Sequence, residues 1–250
     1  MRKSLSAGLV ALAALAGTVV ATTPSSAAAR DDASTVYVVH GLPLDSSGTK
    51  VDVYAGAAGA DPAAAGLIAD DFTFKTVAGP LSLTPASYTV YVAKPTASDD
   101  EKLSADEVIF SKTLDVPAGQ NLSAVASFDG SGKPTINVFN NDVKATPADG
   151  GRLSIRHAAN APAVAVDLGY LPMSRHFSFF VNRYGPATNG QQADVTTATG
   201  KYDVVVRVAE SGARVSAVPR FPVVAGKLTA VYAVGTPGTN FGFVVQQITL

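Results

Sequence analysis

The chain has 250 residues, of which 47% are hydrophobic and 16% charged, and it contains neither Cys nor Trp. This balance excludes an intrinsically disordered chain, because the apolar fraction is that of a globular protein. The lack of Cys excludes a disulfide scaffold, a Cys-ligated zinc site and a Cys nucleophile. The formal net charge of −1 predicts no overall field that would attract nucleic acid or an anionic membrane.

The first 29 residues are predicted to be a secretory signal peptide. Arg2 and Lys3 form a short positive start, Leu9–Val20 is an apolar run, and Ala27–Ala29 fits the small-residue cleavage pattern. The apolar run is too short for a transmembrane helix, which needs about 20 residues. Cleavage after Ala29 leaves 17 of the 19 basic residues and all 20 acidic ones. We expect a secreted product without a membrane span, extracellular or loosely associated with the cell envelope.

Alternating apolar and polar residues dominate the rest of the chain. Thr35–His40, Tyr88–Val92 and Lys201–Val208 are rich in β-branched and aromatic residues, and Gly, Pro, Asn or Asp bound most such segments. This pattern is typical of short strands in an all-β fold. A weak helical signal occurs in the Ala-rich stretch Asp61–Asp70.

The chain also resembles itself in two halves. Five segments of the first half match five of the second in the same order, at offsets between 105 and 117 residues. The matched pairs are Val36–His40 with Leu153–His157, Val51–Val53 with Val164–Val166, Phe72–Phe74 with Phe177–Phe179, Tyr88–Val92 with Tyr202–Val206, and Val116–Ala124 with Val223–Ala230. The third pair leads into Gly-Pro in both halves, at 79–80 and 185–186. Five ordered matches predict two copies of one β unit.

We therefore predict an all-β protein of two tandem antiparallel β-sandwich domains, immunoglobulin-like, after the signal peptide. The first domain covers residues 34–144, the second covers 151–250, and the Pro- and Gly-containing residues 145–150 link them. Each copy has seven or eight candidate strands, which suits a two-layer sandwich. A Greek-key barrel is the alternative, because the Cys pair and core Trp of immunoglobulin domains are absent.

Several of these strands resemble a known bacterial extracellular family. Residues 152–166 contain a strand ending in His, a Pro-containing turn and an Ala-Pro-Ala-Val-x-Val strand. Residues 199–206 and 225–231 follow with Gly-x-Tyr-x-Val and Ala-Gly-x-x-Thr-x-Val motifs, matched less closely by 85–92 and 118–125. In these motifs the chain is similar to the family called domain of unknown function 4397, present twice. The resemblance implies secretion or surface display in Gram-positive bacteria, without a settled activity.

The sequence carries no recognised motif for nucleophilic, metal or phosphate chemistry. Its three His are His40, His157 and His176, and the first two end equivalent strands. The favoured interpretation of His40 and His157 is structural, as imidazoles that bond the backbone of the following turn. A repeated ligand-contacting or proton-exchanging His is the alternative. Tyr88 and Tyr202, at matching strand starts, are interpreted as side chains that hydrogen-bond at a sheet corner.

The carboxylates give little support for catalysis or metal binding. The three Glu lie in polar contexts, and Asp52 and Asp167 do not occupy matching positions, so the paired acids of a glycosidase are not indicated. Candidate calcium donors at 70–71, 99–101 and 129–132 lack the calcium-loop spacing. Solvated loops and a tight hairpin are the favoured interpretation. We predict no catalytic residue, no metal ligand and no cofactor.

Two classes of function follow. The first is a noncatalytic binding or adhesion module with an unknown extracellular ligand or surface component, and nucleic acid is not expected as a partner. The second is a secreted hydrolase with a site in the cleft between the copies, built from His157, His176 and nearby Asp. A rigid envelope spacer is a third possibility. The aromatic stretch Phe177–Phe180 offers a surface site or, as favoured, core or inter-domain packing.

Overall fold

The structure is a computed structural model that describes residues 32–44, 50–95, 102–171 and 179–250. The predicted signal peptide, His176 and Phe177 lie outside these ranges. Within them, no helix is long and apolar enough to cross a membrane.

The described residues form sixteen strands. The first eight are β1 (Ser34–His40), β2 (Val51–Ala57), β3 (Gly66–Phe72), β4 (Val77–Leu83), β5 (Ala86–Ala93), β6 (Val108–Val116), β7 (Asn121–Phe128) and β8 (Pro134–Asn140). The second eight are β9 (Gly150–Ala159), β10 (Val164–Leu171), β11 (Phe179–Ala187), β12 (Gln192–Ala198), β13 (Gly200–Val208), β14 (Arg214–Val223), β15 (Lys227–Gly235) and β16 (Gly242–Thr249).

The stretch with the weak helical signal forms one short 3-10 turn, Pro62–Ala64, before β3 begins at Gly66. The Asp61 side chain accepts a hydrogen bond from the backbone N–H of Ala63 at 2.9 Å, and Pro62 supplies a fixed φ at the start of the turn. The rest of the segment from Gly66 onward pairs with β2. The weak helical signal therefore corresponds to a single turn, because the residues that would continue a helix form a strand.

The strands form four sheets of four strands each. Sheet 1 has the order β3-β2-β5-β6, sheet 2 is β4-β1-β7-β8, sheet 3 is β12-β9-β15-β16, and sheet 4 is β11-β10-β13-β14. Sheets 3 and 4 repeat the order of sheets 2 and 1 with eight added to every strand number. The predicted all-β class is confirmed. The duplication and the domain boundaries stay predictions, which this recurring order supports.

One strand pair in each half runs parallel. β1 pairs with β7 and β9 pairs with β15 in parallel registers, whereas the other pairs are antiparallel. The structure thus differs from the predicted all-antiparallel sheets in this detail. Strand direction was not accessible from the sequence pattern, because alternation of side chains between two faces is the same in both directions.

The four sheets stack through three apolar layers. Sheets 1 and 2 bury Val38, Val53 and Ala126 among others, while sheets 3 and 4 bury a cluster that includes Val166 and Tyr202. The layer between sheets 2 and 3 joins the two halves of the chain through Val39, Val125 and Phe139 on one side and Ala158, Ala230, Tyr232, Val234 and Val244 on the other. Sheets 1 and 4 are therefore the outer sheets.

A buried arginine lies in the layer between the halves. Arg156 is fully buried, and its guanidinium lies 5.5 Å from the Phe139 ring centroid and 5.0 Å from that of Tyr232. It donates to Tyr232 Oη at 2.7 Å, to Ser154 Oγ at 2.9 Å and to the carbonyl of Asn140 at 3.1 Å. Burial lowers the pKa of Arg156 and raises that of Tyr232. Hydroxyl and carbonyl groups thus solvate the charge inside an apolar layer.

The two Gly-Pro pairs do not lie on equivalent strands. Gly79 belongs to β4 of sheet 2, whereas Gly185 belongs to β11 of sheet 4, although β12 is the counterpart of β4. Both precede a cis proline and have φ near +110°, at 112° and 108°. A Cβ at Gly79 would lie 2.9 Å from the Val36 carbonyl oxygen, and one at Gly185 would lie 2.6 Å from that of Val164. The two Gly-Pro pairs therefore share a local geometry rather than a position in the fold. In each, the glycine lies close to the backbone of the paired strand, at a point where the strand register shifts.

Candidate functional site

The two strand-end histidines are buried in similar backbone environments. The exposed fractions of His40 and His157 are 0% and 3%. In each, Nδ1 lies 3.4 Å from the backbone nitrogen two residues later, that of Leu42 or Ala159. His157 Nε2 also lies 3.1 Å from the carbonyl oxygen of Pro162. These contacts support the structural interpretation of both residues, which stays a prediction.

The protonation of His157 should influence stability. Burial lowers the pKa of His157 from its ordinary 6.5, so the folded chain holds the neutral imidazole at a pH where the unfolded chain takes up a proton. We expect the free energy of unfolding to fall as the pH drops below about 6.5. His157→Gln should flatten this dependence, as measured by urea unfolding between about pH 7.5 and pH 5. A profile as steep as that of the parent chain would contradict the assignment.

Tyr88 and Tyr202 form matching corners. The hydroxyl of Tyr88 donates to the carbonyl of Thr84 at 2.9 Å, and that of Tyr202 donates to the carbonyl of Ala198 at 2.8 Å. Both acceptors lie four residues upstream, which is the geometry of a tyrosine corner. A threonine hydroxyl, Thr84 or Thr197, lies 2.9 Å from each phenol oxygen.

We expect Tyr88→Phe and Tyr202→Phe to lower the free energy of unfolding by similar amounts, about 1 kcal/mol each, because each removes one buried phenol hydrogen bond and leaves a carbonyl without its donor. Urea unfolding of both variants tests this. Tyr184→Phe, at a half-buried residue of β11, is the control and should change stability little. Loss at only one corner would show that the two sites are not equivalent.

Three carboxylates meet at one edge of sheet 1. The side chains of Asp52, Asp70 and Asp71 bring oxygen atoms within 4.8 Å of one another, and such a group could hold a cation. Lys50 Nζ lies 2.5 Å from Asp71 Oδ2, and the Asp71 N–H donates to Asp52 Oδ1 at 2.9 Å. The ammonium group already neutralises part of this charge, so the geometry alone does not identify a metal site.

The hairpin at 129–132 is the second candidate calcium segment that the structure describes. Asp129 Oδ1 accepts from the backbone N–H groups of Ser131 and Lys133 at 2.8 and 2.9 Å. These bonds lower the pKa of Asp129, and they are the side-chain bonds of a tight turn. Residues 99–101 lie outside the described ranges.

Two cavities lie inside the sandwiches and both are apolar in character. The larger, of about 50 Å³ between sheets 1 and 2, is lined by side chains such as Val36, Val90 and Ile136. The smaller, of about 30 Å³ between sheets 3 and 4, borders His157 and Tyr184. Neither has the size of a pocket for an ordinary small ligand, which takes several hundred Å³.

The outer face of sheet 4 carries a group of basic side chains. Tyr202, Val204 and Val206 point into the core, so the alternate residues Lys201 and Arg207 of β13 point outward. The register places Arg183 of β11 and Arg214 of β14 on the same side. Arg220 follows at a bulge of β14, where its backbone N–H donates to Asp203 Oδ1 at 2.9 Å. We call Arg183, Lys201, Arg207, Arg214 and Arg220 the basic face.

One aspartate holds two of these arginines in place. Asp167 accepts from Arg183 Nε at 2.5 Å and Nη2 at 3.1 Å, and from Arg207 Nε at 2.8 Å. The hydrogen bond from Arg183, opposed by desolvation and assisted by Arg207, lowers the pKa of Asp167. One carboxylate thus fixes two guanidinium groups, and the cluster keeps a net positive charge. The Arg183 side chain is 58% exposed, so its remaining N–H groups face solvent.

The other three basic side chains make no ion pair or hydrogen bond with any described residue. Lys201, Arg214 and Arg220 are all exposed. The acidic residues nearby are Asp167 and Asp203 on the strands and Glu210 in the β13–β14 turn. Basic groups therefore outnumber acidic groups on this face, although the whole chain carries a formal charge of −1.

The equivalent face of sheet 1 is covered. Tyr54 and Tyr91 pack there with Ala93 and Leu103, a residue of the loop before β6. The Tyr91 hydroxyl donates to the carbonyl of Ala60, in the loop between β2 and β3. In sheet 4, the β13–β14 connection is a short turn, Ala209–Ala213, and all charged side chains of the basic face are exposed except that of Arg207, which is half-buried. The two outer sheets thus present different surfaces.

Sequence reasoning identified the β13 strand but missed this face. The signal was present in Lys201–Val208, where outward positions alternate with Tyr202, Val204 and Val206. The net charge of the whole chain does not reveal the basic face, because a sum over all residues does not report how the charges are distributed. For the aromatic stretch Phe177–Phe180, the structure gives the backbone register, which pairs Phe180 with Gly169. The packing of its side chains stays a prediction.

The fold and this surface define an all-β protein of stacked sheets that presents a charged sheet face to solvent. The sequence profile of the domain of unknown function family DUF4397 matches residues 34–167, and the chain belongs to this family. The matched range runs through the predicted linker into β10, so it does not divide the chain into two copies. Among curated proteins, none matches the chain.

Several solved structures share the β-rich character of this chain. The fimbrial anchor protein Mfa2 from Porphyromonas gingivalis is 10% identical with a TM-score of 0.29, over 87% of this chain and 98% of that one. The Bacillus anthracis TIE protein is 12% identical with a TM-score of 0.25, over 82% of this chain and 34% of that one. A candidate polysaccharide-binding protein of Bacteroides thetaiotaomicron is 10% identical with a TM-score of 0.25, over 86% and 98%. At these scores no functional argument rests on the likeness.

Proposed function

We propose that this chain is a noncatalytic extracellular binding module that attaches to a surface component through the outer face of sheet 4. The observation that carries the proposal is the exposed basic face, where the side chains of Lys201, Arg214 and Arg220 make no hydrogen bond or ion pair with any described residue. Exposed charges without a structural partner are available for an external ligand. The equivalent face of sheet 1 is occupied by its own loops.

The alternative, a hydrolase with a site between the halves, has less support. It requires His157 to face a cleft, and His157 is buried with a ring nitrogen against the carbonyl of Pro162. The layer between the halves is packed with apolar side chains and Arg156. Its second candidate, His176, lies outside the described residues. Loss of a detected hydrolytic activity on replacement of both His with Gln would favour the enzyme.

Extracellular location is part of the proposal and rests on the sequence of residues 1–29. Mass spectrometry of the protein from culture medium should show a mature N-terminus at Arg30 if the leader is cleaved as proposed. A chain that is found inside cells with an intact Met1 would contradict it.

The binding function is tested by retention on insoluble cell-envelope preparations. The mature chain should sediment with them, and K201Q/R214Q/R220Q should sediment about tenfold less, because it removes three exposed charges from the basic face. The matched control is K94Q/K133Q/K144Q, which removes three exposed lysines from other parts of the chain. Equal loss in both variants, or retention that neither variant changes, would contradict a role of sheet 4.

A further inference from the structure

The shape of the basic face indicates the kind of ligand that it fits. Lys201 and Arg207 are six residues apart on one strand, which spans about 20 Å at ~3.3 Å per residue. Arg183 and Arg214 extend the face across sheet 4, from β11 to β14. Ala165, Val205 and Ala217 lie between them on the same side of the sheet. The outer face of a sheet does not enclose a small anion, since small-ligand sites are concave, but an extended polymer can lie across a face of this length.

The chemistry of the face selects among polymers. Arginine guanidinium groups bind carboxylate, sulfate and phosphate in paired hydrogen bonds, and Arg183 and Arg207 are held in place for this by Asp167. Asp203 and Glu210 interrupt the positive charge of the face. Their carboxylates repel a densely charged anionic polymer, but they accept hydrogen bonds from hydroxyl groups. A ligand with both anionic groups and hydroxyls suits this alternation.

Nucleic acid fits the face less well. Proteins that bind single strands stack the bases on aromatic side chains. The aromatic side chains of sheet 4 whose packing the structure describes, Tyr170, Tyr184, Tyr202 and Phe221, pack toward the core. Duplex readout uses an element that enters a groove, whereas this face is the surface of a sheet.

We propose that the basic face of sheet 4 binds an anionic polysaccharide, a hydroxyl-rich chain with carboxylate or sulfate groups. The inference deepens the proposed function and rests on it. The Asp167 cluster anchors one anionic group, and Lys201 and Arg220 contact another farther along the strands. Because the contacts are exposed, the affinity is modest and falls with salt.

The test uses the mature chain and four defined probes of similar length: dextran sulfate, carboxymethyl dextran, neutral dextran and a single-stranded DNA oligonucleotide. We expect binding to both anionic dextrans, none to neutral dextran, and an affinity about tenfold lower at ~0.5 M than at ~0.05 M NaCl. K201Q/R214Q/R220Q should bind at least about tenfold more weakly, while K94Q/K133Q/K144Q should bind like the parent. The sulfate and carboxylate probes distinguish the two anion chemistries.

The result that overturns the inference is equal binding to neutral dextran, tighter binding to the oligonucleotide, or an unchanged affinity of the face variant. Matching thermal unfolding midpoints of the two triple variants establish that both are folded. If the face variant loses retention on envelope material while neither anionic dextran binds, the proposed function stands and the ligand class is wrong. If envelope retention does not depend on sheet 4, both proposals fail.

Discussion

Arg156→Ala should lower the free energy of unfolding by about 2–4 kcal/mol. The substitution removes a fully buried side chain from the layer between sheets 2 and 3. It leaves a cavity between Phe139 and Tyr232, and it removes the donor that bonds the Ser154 hydroxyl. Urea unfolding followed by far-UV circular dichroism measures the effect, since the chain has no Trp.

Arg156→Met separates the contribution of volume from that of charge. Methionine fills much of the same space without a buried charge, and replacing buried ionic groups by apolar ones is often neutral. We expect this variant to lie within about 1 kcal/mol of the parent chain. A Met variant as unstable as the Ala variant would show that the hydrogen bonds of the guanidinium group, of which the one to the Asn140 carbonyl crosses to sheet 2, contribute more to this layer than packing does.

The second large effect is expected at Gly41 in the first half of the chain, which lies close to the buried side chain of Val234 in the second half. An added Cβ would lie 2.6 Å from Val234 Cγ1 and 3.1 Å from the carbonyl oxygen of Ala126. Gly41→Ala should therefore cost about 1–3 kcal/mol through overpacking. Gly130→Ala is the control, because no atom lies within 4 Å of its added Cβ.

A double-mutant cycle tests the contact itself. Val234→Ala alone removes a fully buried side chain and should cost about 1–3 kcal/mol. Combined with Gly41→Ala it opens the space that the new methyl group needs, so the double variant should be at least about 1 kcal/mol more stable than the sum of the single changes predicts. Additive losses would mean that the halves do not pack in this arrangement.

These interface contacts bear on the proposed function. Sheets 2 and 3 each use one face for their own sandwich and the other for the layer between halves. Only the outer sheets then have a face left for solvent, and loops cover that of sheet 1. Among the described sheets, the outer face of sheet 4 is therefore the one that is left to solvent, which supports its choice as the proposed binding surface.

Much of the fold was accessible from the sequence. The alternation in Thr35–His40 and Lys201–Val208 predicted strands that the structure contains as β1 and β13. The Tyr88 and Tyr202 corners were recognisable because a corner is a local geometry, made with a carbonyl four residues away. The two Gly-Pro pairs are also alike only in local geometry. They lie on strands that are not counterparts in the two halves, so their match in the sequence did not indicate matching positions in the fold.

The candidate site was not accessible in this way. Val39 and Arg156 occupy matched positions in the two halves, and nothing in the sequence indicates that both lie in one layer. The basic face draws its residues from β11, β13 and β14, and their proximity depends on strand order. Net charge, evaluated over the chain, concealed the local excess.

By itself, the sequence determined that this chain is an all-β protein with short strands, tight turns and no Cys chemistry. Period-two alternation decides which residues share a face of a strand, because successive side chains point to opposite sides. It does not decide which face meets another sheet. Only the tertiary structure placed sheets 2 and 3 against each other, buried Arg156 between them and left Lys201 and Arg214 in solvent, because those outcomes depend on contacts between residues distant in the chain.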